Sequence, residues 1–212
     1  MALQNIQSLE RLSLENNDLD DDSVDIIAAV FTSNTSMNQL WISSNLFSPI
    51  GLSKLLKPLQ MISTLEVLDL ANSNLSPQVA LDIAAVICSN KQIRQLWLEH
   101  SNLTDNGTII ILNVLMASMY VVVVLGLSHN HITCEAAGEI STAVSSMSYL
   151  STLMLDGNEL EVDGVCTIIE GVQELNWLMI LSVTDNVNSE EEEEYEVLKT
   201  CFTDSTKFKL YM

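Results

Sequence analysis

Apolar residues recur along this chain with a long, fixed period. The first place of the pattern falls at Leu9, Met37, Leu65, Ile93, Val122, Leu150 and Leu178, at steps of 28 residues except for a single step of 29 after Ile93. Apolar residues follow three and five places later, as in Leu96 and Leu98 after Ile93. The ninth place holds Asn17, Asn45, Ser73, Ser101, Asn130, Asn158 or Asn186. An apolar residue closes the turn at Leu19, Phe47, Leu75, Leu103, Ile132 and Leu160. The short alternating stretch predicts a strand with its leucines facing inward, since successive strand side chains point to opposite faces. The rest of each unit has helical spacing, as in Leu52, Leu55, Leu56 and Leu59.

A strand–helix unit of this size cannot bury its apolar face alone, and stacking of successive units supplies the shared core. Helices are wider than strands, so the stack curves, with strands on the concave side and helices on the convex side. The expected fold class is therefore α/β: one solenoid over residues 1–212, of about seven repeats starting near 9, 37, 65, 93, 122, 150 and 178, with partial units at both ends. Leu3 lies six places before Leu9, as Phe31 lies six before Met37, so residues 2–8 read as the tail of a further repeat. No polar terminal cap is visible there, which implies either a piece of a longer chain or a first face open to a partner or to self-association. The asparagine side chains are expected to form a ladder that bonds turn backbone, with Ser73 and Ser101 supplying only part of it. The seventh unit departs from the pattern at Asn188 and the acidic run Glu190 to Glu194, which reads as a helix start. One extra residue restores register for Val197, Leu198 and Cys201 and places Leu210 and Met212 in an eighth strand.

Helix starts are marked locally. Asp20, Asp21, Asp22 and Ser23 precede the first apolar helical face, and Pro49 and Pro77 open later ones. Ile109 to Leu127 imitates a membrane span, being apolar, uncharged and of spanning length. It keeps repeat register through Val122, Leu125, Leu127, Asn130 and Ile132, and is read as one helix running into the next strand.

The unit L-x-x-L-x-L-x-x-N-x-L followed by G/A-x-x-x-L/I-A, at a period of 28 to 29 residues, resembles the ribonuclease-inhibitor-like class of leucine-rich repeats over roughly residues 3–188. Within that class the chain looks most like the repeat arm of NOD-like receptors. The resemblance implies a curved leucine-rich-repeat horseshoe that senses or restrains in an innate-immune protein, while a separate nucleotide-binding module switches. No G-x-x-x-x-G-K-[ST] occurs in this sequence. A Ran-type GTPase-activating protein and an actin-regulating protein are built on similar repeats and stand as alternatives.

Charge narrows the partner. There are 28 acidic against 8 basic residues, a formal net charge of −20. Nucleic-acid binding through phosphate neutralisation needs Lys and Arg and is not expected, whereas a basic protein partner is favoured. Cys88, Cys134, Cys166 and Cys201 are widely spaced without a C-x-x-C pair, which predicts reduced, partly buried thiols in a cytoplasmic protein. Sequons at Asn34, Asn74, Asn102 and Asn106 carry little weight, since about three would arise by chance in so polar a chain. The start MALQNIQSLERL shows no signal-peptide pattern.

The outward strand positions line up in rows. The middle row is Ser13, Trp41, Asp69, Trp97, Gly126, Met154 and Ser182, and the next is Glu15, Ser43, Ala71, Glu99, Ser128, Asp156 and Thr184. At about 4.8 Å per strand, Trp41 and Trp97 should stand roughly 10 Å apart, flanking Asp69. The candidate protein-binding residues are Trp41, Asp69, Trp97, Glu99, Met154 and Asp156, with the tryptophans as anchors. Either ring could equally pack on its neighbours alone. His100, His129 and His131 sit in successive turns, and no metal site is expected from them. Ile109 and Ile110 are expected on the solvent side of a helix. No catalytic set, phosphate loop or cofactor site is read from local spacing, so a non-enzymatic protein is expected.

Overall fold

A computed structural model describes residues 8–117, 121–187 and 209–211. Strands of three residues alternate with helices in the order β1 (Arg11–Ser13), α1 (Val24–Ser33), β2 (Gln39–Trp41), α2 (Pro49–Leu59), β3 (Val67–Asp69) and α3 (Pro77–Ser89). They continue as β4 (Gln95–Trp97), α4 (Asp105–Met116), β5 (Val124–Gly126), α5 (Ala137–Ser146), β6 (Thr152–Met154), α6 (Glu161–Val172), β7 (Ile180–Ser182) and β8 (Lys209–Tyr211). All eight strands pair in parallel and in chain order, β1 to β8, so the sheet never closes on itself. This is the expected α/β leucine-rich-repeat solenoid. The pairing joins Leu12, Leu40, Leu68, Leu96, Leu125, Leu153, Leu181 and Leu210 in one inward row. From Leu40 to Leu181 that row is fully buried, and the helices pack each on the next behind it.

The helix starts follow the residues that announced them. The Ser48 and Ser76 hydroxyls accept from the amides of Gly51 and Val79, with Pro49 and Pro77 in the first turn. Asp20 accepts from the Asp22 amide and opens a short 3-10 turn that leads into α1. The apolar stretch from Ile109 onward ends its helix at Met116 and re-enters the sheet at Val124, and no described helix is long and apolar enough to cross a membrane. Leu3, the acidic run, Val197, Leu198, Cys201 and Met212 lie outside the described residues.

A turn leaves each strand through a residue with positive φ: Asn16, Ser44, Asn72, His100, His129, Gly157 and Asp185 occupy equivalent places, with φ between 52° and 60°. Non-glycine residues adopt this region at a cost, and short polar side chains adopt it most readily. The asparagine ladder holds the turns there. Asn130 donates to the carbonyls of Leu98, Leu127 and Ser128 and accepts from the amides of Ser101 and Leu103. Asn45, Asn158 and Asn186 repeat the scheme. Serine reaches less far. Ser101 Oγ accepts from Ser73 N, but the Leu75 amide turns to the Ser101 backbone carbonyl at 2.9 Å instead.

The cysteines depart from expectation. Cys88 and Cys134 are free and exposed rather than partly buried, and Cys166 is disulfide-bonded rather than reduced. Ile109 and Ile110 are half-buried rather than solvent-facing, and Ile109 lines an apolar cleft between α4 and α5 with Leu112, Met116 and Gly138. The missing side chain at Gly138, where a Cβ would meet only open space, helps leave that cleft open.

Two truncations test the two layers separately by urea denaturation. Leu98→Ala should cost about 2–5 kcal/mol, as for a packed core leucine. Asn130→Ala should cost at least about 3 kcal/mol, because it strands the amides of Ser101 and Leu103 and the carbonyl of Leu98 below the surface. A loss under about 1 kcal/mol in either would contradict the packing described.

Candidate functional site

The concave sheet presents the rows that the repeat period implied. Sheet pairing sets Ser13, Trp41, Asp69, Trp97, Gly126, Met154, Ser182 and Tyr211 side by side. Backbone hydrogen bonds beyond the strands do the same for the next row, for example from Asn72 N to Glu99 O and from His129 N to Asp156 O. Trp41, Asp69, Trp97, Glu99, Met154 and Asp156 are all half-buried on this face. Trp41 and Trp97 flank Asp69 in direct register.

The three candidate carboxylates of the face are not equivalent. Asp69 accepts from the Ser43 hydroxyl at 2.9 Å and from the Ala71 amide at 2.9 Å, which ties β3 to the preceding repeat. Asp156 accepts from the hydroxyls of Ser128, Ser182 and Thr184 and from the Thr184 amide, bracing three successive repeats. Burial alone would push the Asp156 carboxyl up. The hydrogen bonds from Ser182, Thr184 and Ser128 outweigh it and hold the group below the usual carboxylate range. The serines and threonine flanking these aspartates on adjacent strands were the sequence signal for this bracing role.

Glu99 has a different setting. Its carboxyl lies over Gly126, in the space that a side chain there would fill, and Trp97 Cε3 lies 2.8 Å from the same Cβ position. Burial raises the Glu99 acid to about 7, and the negative charge of Asp69 adds to the rise. The backbone amides of Glu99 and Leu98 oppose it. Gly126 is thus part of the site, a member the sequence offered only as a gap in the row.

Met154 sits between Gly126 and Ser182 in the middle row, beyond the tryptophans. Beside it, Val124, Thr152 and Ile180 form a row without charge across β5 to β7. Along the turns above, the His100 and His129 rings stack at 4.1 Å between centroids, and His129 lies over Gly157, whose φ is +60°. Burial, then the neighbouring His129, lowers the His100 pKa below its ordinary value. His131 Nδ1 meets Glu159 Oε1 at 2.7 Å. Among the described residues no group of three or more His, Cys, Asp or Glu converges as a metal site would require.

No protein-family model matches the chain. Among curated proteins it is 26% identical over 136 residues to NACHT, LRR and PYD domains-containing protein 3 of Macaca mulatta, covering 64% of this chain and 13% of that one. It is 25% identical over 167 residues to NACHT, LRR and PYD domains-containing protein 5 of Mus musculus, covering 78% and 14%. It is 38% identical over 73 residues to RAN GTPase-activating protein 2 of Arabidopsis thaliana, covering 34% and 13%. The chain therefore spans about one seventh of the length of these relatives. Solved structures similar to it include the actin-binding site 2 of leiomodin-1, with a TM-score of 0.48 at 14% identity over 85% of this chain and 86% of that one. Another is the tropomodulin C-terminal domain of Caenorhabditis elegans, with a TM-score of 0.49 at 12% identity over 84% and 90%. Its 28-residue strand–helix units and parallel open sheet give the chain the leucine-rich-repeat solenoid fold, and its similarity to these curated relatives supports the ribonuclease-inhibitor-like class of such repeats.

Proposed function

We propose that the chain is a non-catalytic protein-binding scaffold, the sensing or regulatory repeat arm of a NOD-like-receptor-type protein. One observation carries the reading: two half-exposed tryptophans flank a carboxylate on a sheet whose every strand is braced to the next. Aromatic anchors on a rigid support bind with little loss of side-chain freedom. Met154 would extend the contact toward β6 and β7. Asp69 and Asp156 act mainly by keeping the face rigid, and their charge, with that of Glu99, favours a basic partner. The relatives named for NACHT, LRR and PYD domains support the receptor assignment.

A second reading, an activator of a GTPase, is favoured by the 38% identity over 73 residues with RAN GTPase-activating protein 2. In that case the chain would accelerate a partner's hydrolysis of GTP, and a single-turnover assay without acceleration excludes it. The proposed compartment is the cytoplasm. Disulfides are rare there, so the bonded Cys166 is the observation that tests it.

Replacing Trp41 and Trp97 together by alanine should reduce capture of the protein partner at least tenfold and leave the circular dichroism spectrum unchanged. Undiminished capture removes both residues from the site. Differential alkylation and mass spectrometry of the protein from its own cells should find Cys166 reduced if the compartment is cytoplasmic, and an oxidised Cys166 overturns that placement.

A further inference from the structure

The concave rows carry a charge pattern that Trp41 and Trp97 alone do not explain. From β2 to β7 the two rows that hold the site contain Asp69, Glu99 and Asp156 and no basic residue; Arg11 and Lys209 stand only on the first and last strands. Asp156 has its oxygens engaged by four donors. Glu99 does not share that arrangement. Its carboxyl is folded against Gly126 and the Trp97 ring, one strand from Asp69. The charged group facing it is Asp69 on β3. On the other side, β5 offers Gly126 and, in the row of Glu99, Ser128, neither of which titrates.

We propose that the concave site seats one cationic side chain of its partner, lysine or arginine, against Asp69 and Glu99 beside the Trp97 ring, and that docking releases one proton from Glu99 to bulk water. This rests on the reading of the concave face as the binding surface. The chemistry is simple. A cation gains from a second carboxylate only when that carboxylate is ionised, and an aromatic face adds a cation–π contribution. The Glu99 acid lies at about 7 in the free protein, so near neutrality the site exists in both forms.

The sign follows from linkage. A partner that prefers ionised Glu99 binds more tightly as pH rises through about 7 and levels off above it. For a strict preference the affinity is about tenfold weaker at pH 6 than at pH 8. Folding stability moves the other way. The raised acid holds its proton in the native state where the unfolded chain has lost it, so stability falls as pH climbs from the ordinary glutamate range toward 7 and is flat beyond.

The test is calorimetric titration of the full chain with Ac-Arg-Gly-Arg-Gly-Arg-amide and with its citrulline counterpart, at pH 6 and pH 8, in two buffers of different ionisation enthalpy. The arginine peptide should bind with the tenfold pH difference and release close to one proton at pH 6, and the citrulline peptide should not bind. Glu99→Gln should abolish both the pH difference and the proton release. Gly126→Ala should do so too, because its methyl group displaces the Glu99 carboxyl toward water; the same methyl presses on Trp97 Cε3, so the variant is read only with an unchanged circular dichroism spectrum. A pH difference that survives Glu99→Gln assigns the proton to the stacked His100 and His129 and overturns the proposal, as does equal binding of the citrulline peptide or no saturable binding of the arginine peptide. If partner capture depends on Trp41 and Trp97 while the titration is indifferent to pH, the face binds protein and the proton linkage alone falls.

Discussion

The structure depends on one repeated hydrogen-bonding act: an asparagine side chain closing the turn of its own repeat and of the one before. Strands of three residues offer too few ladder bonds to hold a turn that passes through positive φ. The amide group supplies what they lack. Asn130 satisfies backbone as far back as Leu98 and as near as Ser128, entirely below the surface. Without such a partner the turn would leave buried donors and acceptors unpaired, each at a cost of about 1–3 kcal/mol. Everything on the concave face is placed by this layer, because the outward rows begin where the turns are held.

The same device explains how much of the fold was legible. A period of 28 residues fixes the neighbour of every strand position, so the lateral order of Trp41, Asp69 and Trp97 could be read directly from the sequence. The single 29-residue step did not disturb it, since Leu96 still pairs with Leu125 and Ser101 still reaches the Asn130 side chain. The cysteines were less legible. Exposure on a helix depends on where the neighbouring helix lies, and spacing alone placed Cys88 and Cys134 too deep. Ile109 and Ile110 erred in the other direction, since adjacent helices cover part of what a helical wheel assigns to solvent.

The site was legible in outline and not in chemistry. Sequence put three carboxylates on one face, and only side-chain geometry divides them. Asp69 and Asp156 have hydroxyl neighbours on adjacent strands and accept hydrogen bonds from them. Glu99 is longer by a methylene and faces a glycine, so it folds down onto the sheet instead. A gap in a row is easily passed over in a sequence, yet Gly126 decides the environment of both Glu99 and Trp97.

The reach of these side chains has a consequence for how the molecule comes apart. Bonds from Asn130 to Leu98, from Asn186 to Leu155 and from Asp156 to Thr184 all cross from one unit to the next. No unit completes its own turn, so an internal unit cannot open without stripping partners from both sides. Opening therefore spreads from unit to neighbouring unit, as in a chain coupled only to its nearest neighbours. Backbone amides bonded across two units, such as those of Leu98 and Leu127, will then exchange with solvent only when the neighbouring unit opens as well, and the aromatic part of the concave face lies among them.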